Sequence, residues 1–205
     1  MSYCHWANTS EINKHYHDEE WGKPLFNDFR QFEFLMLEVM QCGLNWNLVI
    51  NKREILRKCF DNFDYAKIAT YNDTDIERIM ATGGMIKSPR KIAAIIQSAR
   101  CFQKIRTEFG SFCNYLWQYS DGKTILYDKH DKGYIPASNG LSAKISQDMK
   151  KRGFKFLGPV VMYSHLQACG LINDHAENCP RYHYIISNYP TIRRKRDSEK
   201  QVQHF

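Results

Sequence analysis

Glu38 lies in the most apolar stretch of the chain, FEFLMLEVM from Phe32 to Met40, where seven of nine residues are apolar. A helix there surrounds the carboxylate with Leu35, Leu37, Val39 and Met40, whichever face turns inward. Such a carboxylate is kept either because donors inside the fold satisfy it or because it meets a group from outside. The stretch by itself supports both readings. A second set of reactive side chains sits at the two ends of the chain: Cys4 and His17 near one, His175 and Cys179 near the other. Two thiolates and two imidazoles fill a tetrahedral zinc shell, and a closed shell marks a structural metal. On a helix, His175 and Cys179 would share one face. If the four converge, they fasten the termini together, and metal binding becomes folding free energy. His5, His15 and His183 are alternative nitrogens, and with seven Cys and eight His an H-x-x-x-C spacing also arises by chance. Third, Trp6, Tyr16, Trp21 and Trp46 are more aromatic surface near the apolar stretch than a core of this size requires. Aromatic faces around a carboxylate form a slot for a flat, cationic ring, each contact worth about 0.5 to 2 kcal/mol. Taken singly, each of the four reads as stacked core.

These groups need a scaffold. A chain of 205 residues, 43% hydrophobic and 14% aromatic, can bury a full core as one domain or as one domain of two lobes. No apolar run approaches a membrane span, and MSYCHWANTSE has no basic-then-apolar leader, so a soluble, cytoplasmic protein is expected. The cysteines are odd in number and free of C-x-x-C pairs, which suits thiols or metal ligands rather than a disulfide framework. A net charge of +7 favours an anionic partner and permits nucleic acid.

Ser10 is expected to cap a short helix carrying Tyr16 and His17, with Glu11 and Asp18 to Glu20 as solvated acids. Asp28 would cap the long apolar helix to about Cys42, and Gly43 would end it. An amphipathic helix from Trp46 to Phe60 would then present Lys52, Arg53, Arg57 and Lys58 as a basic face. Asp64 and Asp73 begin two further short helices. In TGGMIKSPRKIAAIIQSARCFQKI, Gly83 and Gly84 permit positive φ, Ser88 is an N-cap and Pro89 occupies the first turn, a helix-hairpin-helix layout. Exposed N–H groups at a helix start, beside Lys87, Arg90 and Lys91, suit phosphate. Gly-rich hairpins also simply join packed helices. The helix from Ser88 to about Phe109 ends at Gly110, and Ser111 starts a short one. Residues 121–140 read as exposed loop. A capped helix from Leu141 stops at Gly153, and a last apolar helix runs from Pro159 to Leu171. With strand-period alternation scarce, the expected class is all-α. The end from Ser187, with Arg193, Arg194, Lys195 and Arg196, reads as a solvated basic tail.

Several longer motifs stand in order along residues 1 to about 180. They are C-x-W at Cys4 to Trp6, Y-H-D-x-E-W-G from Tyr16 to Gly22, E-x-x-Q-x-G-L-x-W from Glu38 to Trp46 and K-R-E from Lys52 to Glu54. After the hairpin from Gly83 to Lys91 come K-K-R-G-F-K-F-L-G from Lys150 to Gly158 and Q-A-C-G-L-I-N-D-H from Gln167 to His175, closed by Cys179. Together they resemble the bacterial 3-methyladenine DNA glycosylase I family of the helix-hairpin-helix superfamily. Each motif alone is weak, and the combination is specific.

The resemblance implies an all-α helix-hairpin-helix glycosylase fold, with Zn2+ held by Cys4, His17, His175 and Cys179 joining the N- and C-terminal segments. It divides residues 1–186 into a helical lobe of about 28–140 and a zinc-joined lobe of 1–27 with 141–186, leaving 187–205 as the tail. It implies a base pocket of Glu38, Tyr16 and Trp46, with Trp6 and Trp21 on its wall and Glu38 as the catalytic carboxylate. DNA would be held by Gly83, Gly84, Lys87, Ser88, Arg90 and Lys91. The implied activity is excision of 3-methyladenine from alkylated double-stranded DNA by a monomer in the bacterial cytoplasm. The helix from Ser88 to Phe109 has no acid before Glu108, and no Lys is placed as a Schiff-base nucleophile, so a monofunctional enzyme without strand cleavage is expected. Three residues depart from the family pattern. Asn45 stands where Ser is usual, Asn47 is polar where an apolar residue is usual, and His165 replaces a bulky apolar side chain. They leave two alternatives open: a lesion-binding module without catalysis, or a glycosylase of shifted base specificity.

Overall fold

In the computed structural model, which describes residues 4–128, 130 and 134–196, Ser10 accepts from the Asn13 N–H and starts α1 (Glu11–Glu19). The Glu38 stretch forms α2 (Asp28–Gln41), buried at every position from Gln31 to Met40. Its N-cap is Asn27 rather than Asp28. The Asp28 carboxylate reaches across the core instead, accepting from the N–H groups of Phe112 and Cys113 at 3.1 and 3.0 Å and from Arg106 at 2.7 Å. It therefore caps the helix Phe112–Trp117, more than eighty residues further along the chain.

The expected helix from Trp46 to Phe60 is two, α3 (Trp46–Asn51) and α4 (Arg53–Cys59), broken at Lys52. Its basic face is only partly solvated. Arg53 is buried and makes two 2.8 Å bonds to Glu20 and one to Glu33, while Arg57 bonds Glu33 at 2.7 Å. Glu20 is thus not a solvated acid. Against the upward push of burial, the Arg53 guanidinium holds both carboxyls below their usual range. This network locks the end of α1 to α2 and α4.

Short α5 (Tyr65–Ile68) leads to α6 (Asp73–Ala81) and the long α7 (Pro89–Phe109). In the joint between the last two, Gly84 takes φ +76° and Gly83 stays outside the left-handed region. Ser88 has extended N-cap geometry, but its side chain makes no cap bond. Then come α8 (Phe112–Trp117), β1 (Thr124–Tyr127), α9 (Gly140–Lys151), α10 (Pro159–Ala168), α11 (Pro180–Asn188) and β2 (Thr191–Arg194). The core gathers around α2, which packs on α3, α7, α8 and α10.

The fold is mostly helical, as expected, with two short strands that the sequence did not suggest. Thr124 to Tyr127, read as exposed loop, are all buried, and they pair in parallel with Thr191 to Arg194, read as solvated tail. On its other edge β1 meets the Leu171–Asn173 segment: Ile125 N–H donates to Leu171 O at 2.8 Å, and Asn173 N–H donates to Ile125 O at 3.0 Å. Residues 197–205 of the expected tail lie outside the described residues. Among those described, no helix is long and apolar enough to cross a membrane.

His165, on α10, is fully buried, and among the described residues neither ring nitrogen has a hydrogen-bond partner. Burial alone pushes its pKa down to about 3. The folded protein binds this proton less readily than the unfolded chain, so the site costs stability as pH falls from about 6.5 toward 3. Two consequences are measurable by chemical or thermal unfolding. His165→Leu removes the unpaired donor and acceptor and should stabilise the fold by about 1 to 3 kcal/mol at pH 8. Its advantage over the parent should widen by about 1.4 kcal/mol per pH unit below 6.5.

Candidate active site

The N-terminal segment is pinned to the far end of the chain by backbone contact before any side chain is considered. Gly22 N–H donates to Ala168 O at 3.1 Å, and Leu25 N–H donates to Cys169 O at 3.1 Å. Two glycines allow this approach. A Cβ on Gly22, at φ +76°, would stand 2.6 Å from His175 Nε2. One on Gly170, at φ +74°, would stand 2.5 Å from the Lys23–Pro24 backbone.

Docked this way, the segment brings Cys4 and His17 to His175 and Cys179. All four are buried, and their ligand atoms lie within 4.8 Å of one another. Four of the six separations run from 3.1 Å, between His17 Nε2 and His175 Nδ1, to 3.7 Å between either sulfur and His175 Nδ1, and the other two are no longer than 4.8 Å. A tetrahedral shell with bonds of about 2.0 to 2.3 Å has edges of about 3.3 to 3.8 Å. The cluster therefore fits a metal ion. The outer nitrogens are also engaged: His17 Nδ1 donates to Asp18 Oδ1 at 2.7 Å, and His175 Nε2 lies 3.3 Å from Trp21 O. This leaves His17 Nε2 and His175 Nδ1 as the metal-facing lone pairs. Hydrogen bonding from Cys4, then from His17 and His175, pulls the Cys179 thiol well below its ordinary range, while Cys179 raises Cys4. His175 and Cys179 do not share a helix face as expected. They meet through a turn, and Cys179 is the N-cap of α11.

Beside the cluster opens a cavity of about 430 Å³ lined by Trp6, Tyr16, Trp21, Glu38 and Trp46. The five pocket residues expected from sequence thus meet at one place. Tyr16 and Trp46 rings are 5.1 Å apart at 41°, and Trp6 and Trp21 are 5.1 Å apart at 75°. Tyr16 is held from behind by Phe34 at 6.0 Å and by the Arg53 guanidinium, 6.0 Å from its ring centre. Among the described residues, no hydrogen bond satisfies the Glu38 carboxylate, and burial alone pushes its pKa up to about 8. Trp46 Nε1 is buried and also without a partner. The cavity therefore offers an unpaired carboxyl between aromatic faces.

Lys91, expected at a phosphate, turns inward. It is buried, and its Nζ donates to Met40 O and Cys42 O at 2.6 Å, capping the C-terminal end of α2. Gly83, Gly84, Lys87 and Arg90 remain exposed, with Ser88 half-buried. The unusual Asn45 and Asn47 are not among the residues lining the cavity. Asn45 caps α3, its side chain accepting from Asn47 N–H at 2.8 Å, and Asn47 accepts from buried Asn13 on α1. The lining also includes Gln41, His130, Gln167 and Asp174. Gln41, Gln167 and Asp174 stand inside motifs already singled out, whereas nothing local marked His130.

A family model described as Methyladenine glycosylase matches residues 6–182. DNA-3-methyladenine glycosylase 1 of Escherichia coli (strain K12) is 37% identical over 182 residues, covering 89% of this chain and 97% of that protein. The DNA-3-methyladenine glycosylase of Haemophilus influenzae is 36% identical over 177 residues, 86% of this chain and 96% of that one. The solved 3-methyladenine DNA glycosylase I of Staphylococcus aureus superposes with a TM-score of 0.82 at 33% identity, covering 86% of this chain and 94% of that chain. With a family match across most of its length and relatives alike in sequence and in fold, the chain belongs to the methyladenine glycosylase family.

Proposed function

We infer that the protein is a monofunctional DNA glycosylase that hydrolyses the N-glycosidic bond of 3-methyladenine in alkylated double-stranded DNA, leaving the strand uncut. The observation that carries this reading is the unpaired Glu38 carboxyl within an aromatic cavity. A relative of the same fold has been solved in complex with 3-methyladenine, with a TM-score of 0.82 at 32% identity over 88% of this chain and 97% of that one. The target base must leave the duplex stack to be reached, and an alkylated, poorly paired base costs least to extrude. N3-methylated deoxyadenosine is cationic and already has a good leaving group. The enzyme then needs to hold charge rather than supply a proton to the base.

Tyr16 and Trp46, walled by Trp6 and Trp21, stack on the cationic ring, and Glu38 accepts from its exocyclic amine. In the empty cavity Glu38 is mostly neutral at pH 7, because nothing there compensates its charge. A cation entering the slot supplies that compensation, whereas neutral adenine does not. Each unit by which the cation lowers the carboxyl pKa is about 1.4 kcal/mol of discrimination. Phosphates are held by the exposed joint at Gly83, Gly84, Lys87, Ser88 and Arg90, with Lys91 fixing that joint to the end of the Glu38 helix. The buried cluster of Cys4, His17, His175 and Cys179 holds a structural Zn2+, in keeping with its two sulfurs and two imidazoles. The enzyme acts as a monomer in the bacterial cytoplasm. A binding module without chemistry has little to favour it, since Asn45 and Asn47 are occupied in holding α3 to itself and to α1.

Incubation with methylated duplex DNA should release free 3-methyladenine without nicking the strand, and a protein that binds the duplex but releases no base would refute the assignment. The value of kcat/KM reports groups on the free enzyme. Because Glu38 must be anionic against a cation, kcat/KM should rise about tenfold per pH unit and level off near pH 8. Glu38→Gln should remove the inflection near pH 8 and lower the plateau by about 10- to 100-fold, the worth of one charge-assisted hydrogen bond. Elemental analysis of purified protein should give one zinc per chain. Chelation or Cys179→Ser should lower the melting temperature and the affinity for free 3-methyladenine together, because Trp6, Tyr16 and Trp21 hang on the same segment.

A further inference from the structure

His130 belongs to the cavity wall, yet no role in holding a cationic base requires it. Its ring is buried, and Nδ1 lies 2.7 Å from Asp174 Oδ1. The other Asp174 oxygen accepts from Tyr163 Oη at 2.6 Å and from Gln167 Nε2 at 2.8 Å. With the single hydroxyl proton of Tyr163 committed to Asp174, the short contact at Nδ1 is satisfied when His130 donates to the carboxylate. The hydrogen therefore sits on Nδ1, and Nε2 carries the lone pair. No described residue bonds Nε2. A buried imidazole on the cavity wall, with its tautomer set by a carboxylate and an acceptor nitrogen that no described residue bonds, is the arrangement a general base needs.

The reaction proposed above has a step for such a group. Loss of the base leaves a cationic sugar that must be captured by water, and α7 supplies no carboxylate before Glu108. Glu38 is committed to the base. We propose that His130 Nε2, oriented by Asp174, binds and deprotonates the water that attacks C1′. Water oxygen bonds to C1′ as the C1′–N9 electron pair leaves with the base, which departs as neutral 3-methyladenine. The water proton passes to Nε2 and then to solvent. His130 is thus a catalytic residue, with Asp174 its positioning partner, held in turn by Tyr163 and Gln167. The proposal rests on the glycosylase reading of the cavity.

The test uses the full-length protein in single-turnover release of 3-methyladenine from methylated duplex, beside titrations with free 3-methyladenine and with an abasic-site duplex. His130→Asn keeps an N–H for Asp174 and loses Nε2; His130→Ala loses both. Both variants should slow release by about 10- to 100-fold, at or below the low end of general-base effects because the leaving group is good. Affinity for free base and for abasic DNA should stay within about twofold of the parent, which also reports an intact fold. Parent-like release by His130→Asn would overturn the proposal, as would parallel loss of free-base affinity, which would make His130 part of the slot itself. Failure of the parent to release any base would overturn the glycosylase reading, and this inference with it.

Discussion

Everything at the cavity depends on the docking of residues 4–25 against residues 165–179. Three of the four aromatic walls, Trp6, Tyr16 and Trp21, arrive on that segment, and only Trp46 comes from elsewhere. The segment is too short and too polar to hold itself. Three independent constraints hold it: the backbone bonds at Gly22 and Leu25, the buried Cys/His cluster, and the Glu20–Arg53–Glu33 ion network. Each acts on a different stretch of the segment. Breaking the buried network alone leaves an uncompensated charge worth about 3 to 5 kcal/mol of instability. A metal ion held by that cluster would add its binding free energy to folding and act on the cavity through the position of the aromatic rings.

The two glutamates of α2 show how environment divides roles on one helix. Glu33 and Glu38 are both nearly inaccessible, at 4% and 6% exposure. Glu33 meets three guanidinium groups, those of Arg53, Arg57 and, at 3.4 Å, Arg30, and against the upward push of burial Arg53 and Arg57 hold its carboxyl below the usual range. Glu38 meets none, and burial alone decides its state. The fold supplies abundant cations close by and withholds them from this position. Lys91, the ammonium group tied to the C-terminal end of the same helix, spends its charge on the Met40 and Cys42 carbonyls. In the proposed function a carboxyl isolated in this way discriminates by charge, because an anion there is stable only when its ligand brings the compensating cation.

The residues that could be read in sequence were those whose meaning is chemical or local. Seven apolar neighbours made Glu38 conspicuous, and Ser10 and Asp64 cap the helices that follow them. What escaped depended on distant partners. Asp28 looks like an N-cap, but its acceptor geometry is used by α8. Arg53 sits in a basic run, and only the folded chain brings Glu20 and Glu33 to it. The Thr124–Tyr127 strand is four residues long in a window rich in Gly, Asp and Lys, and its partner lies in what reads as a charged tail. A parallel pair with so long a crossover leaves no period-two signature in either short segment. His130 follows directly from that omission, since the strand is what carries the chain to Asp174.

The departures from the family pattern now separate into two kinds. Asn45 and Asn47 are compensated: one does the capping work expected of Ser, and the other pairs with Asn13, so the polarity gained on α3 is matched on α1. The cavity lining is untouched by either, and base preference has no reason to shift through them. His165 is uncompensated. Its two nitrogens are orphaned within the core beneath the cavity wall, and it stays neutral because protonation there has no partner. A neutral, unbonded imidazole weakens the fold without touching the chemistry, since its neighbours Ser164 and Gln167, and not His165 itself, face the cavity. α10 therefore divides its residues between cavity and core: Gln167 lines the cavity and bonds Asp174, and His165 is buried in the core.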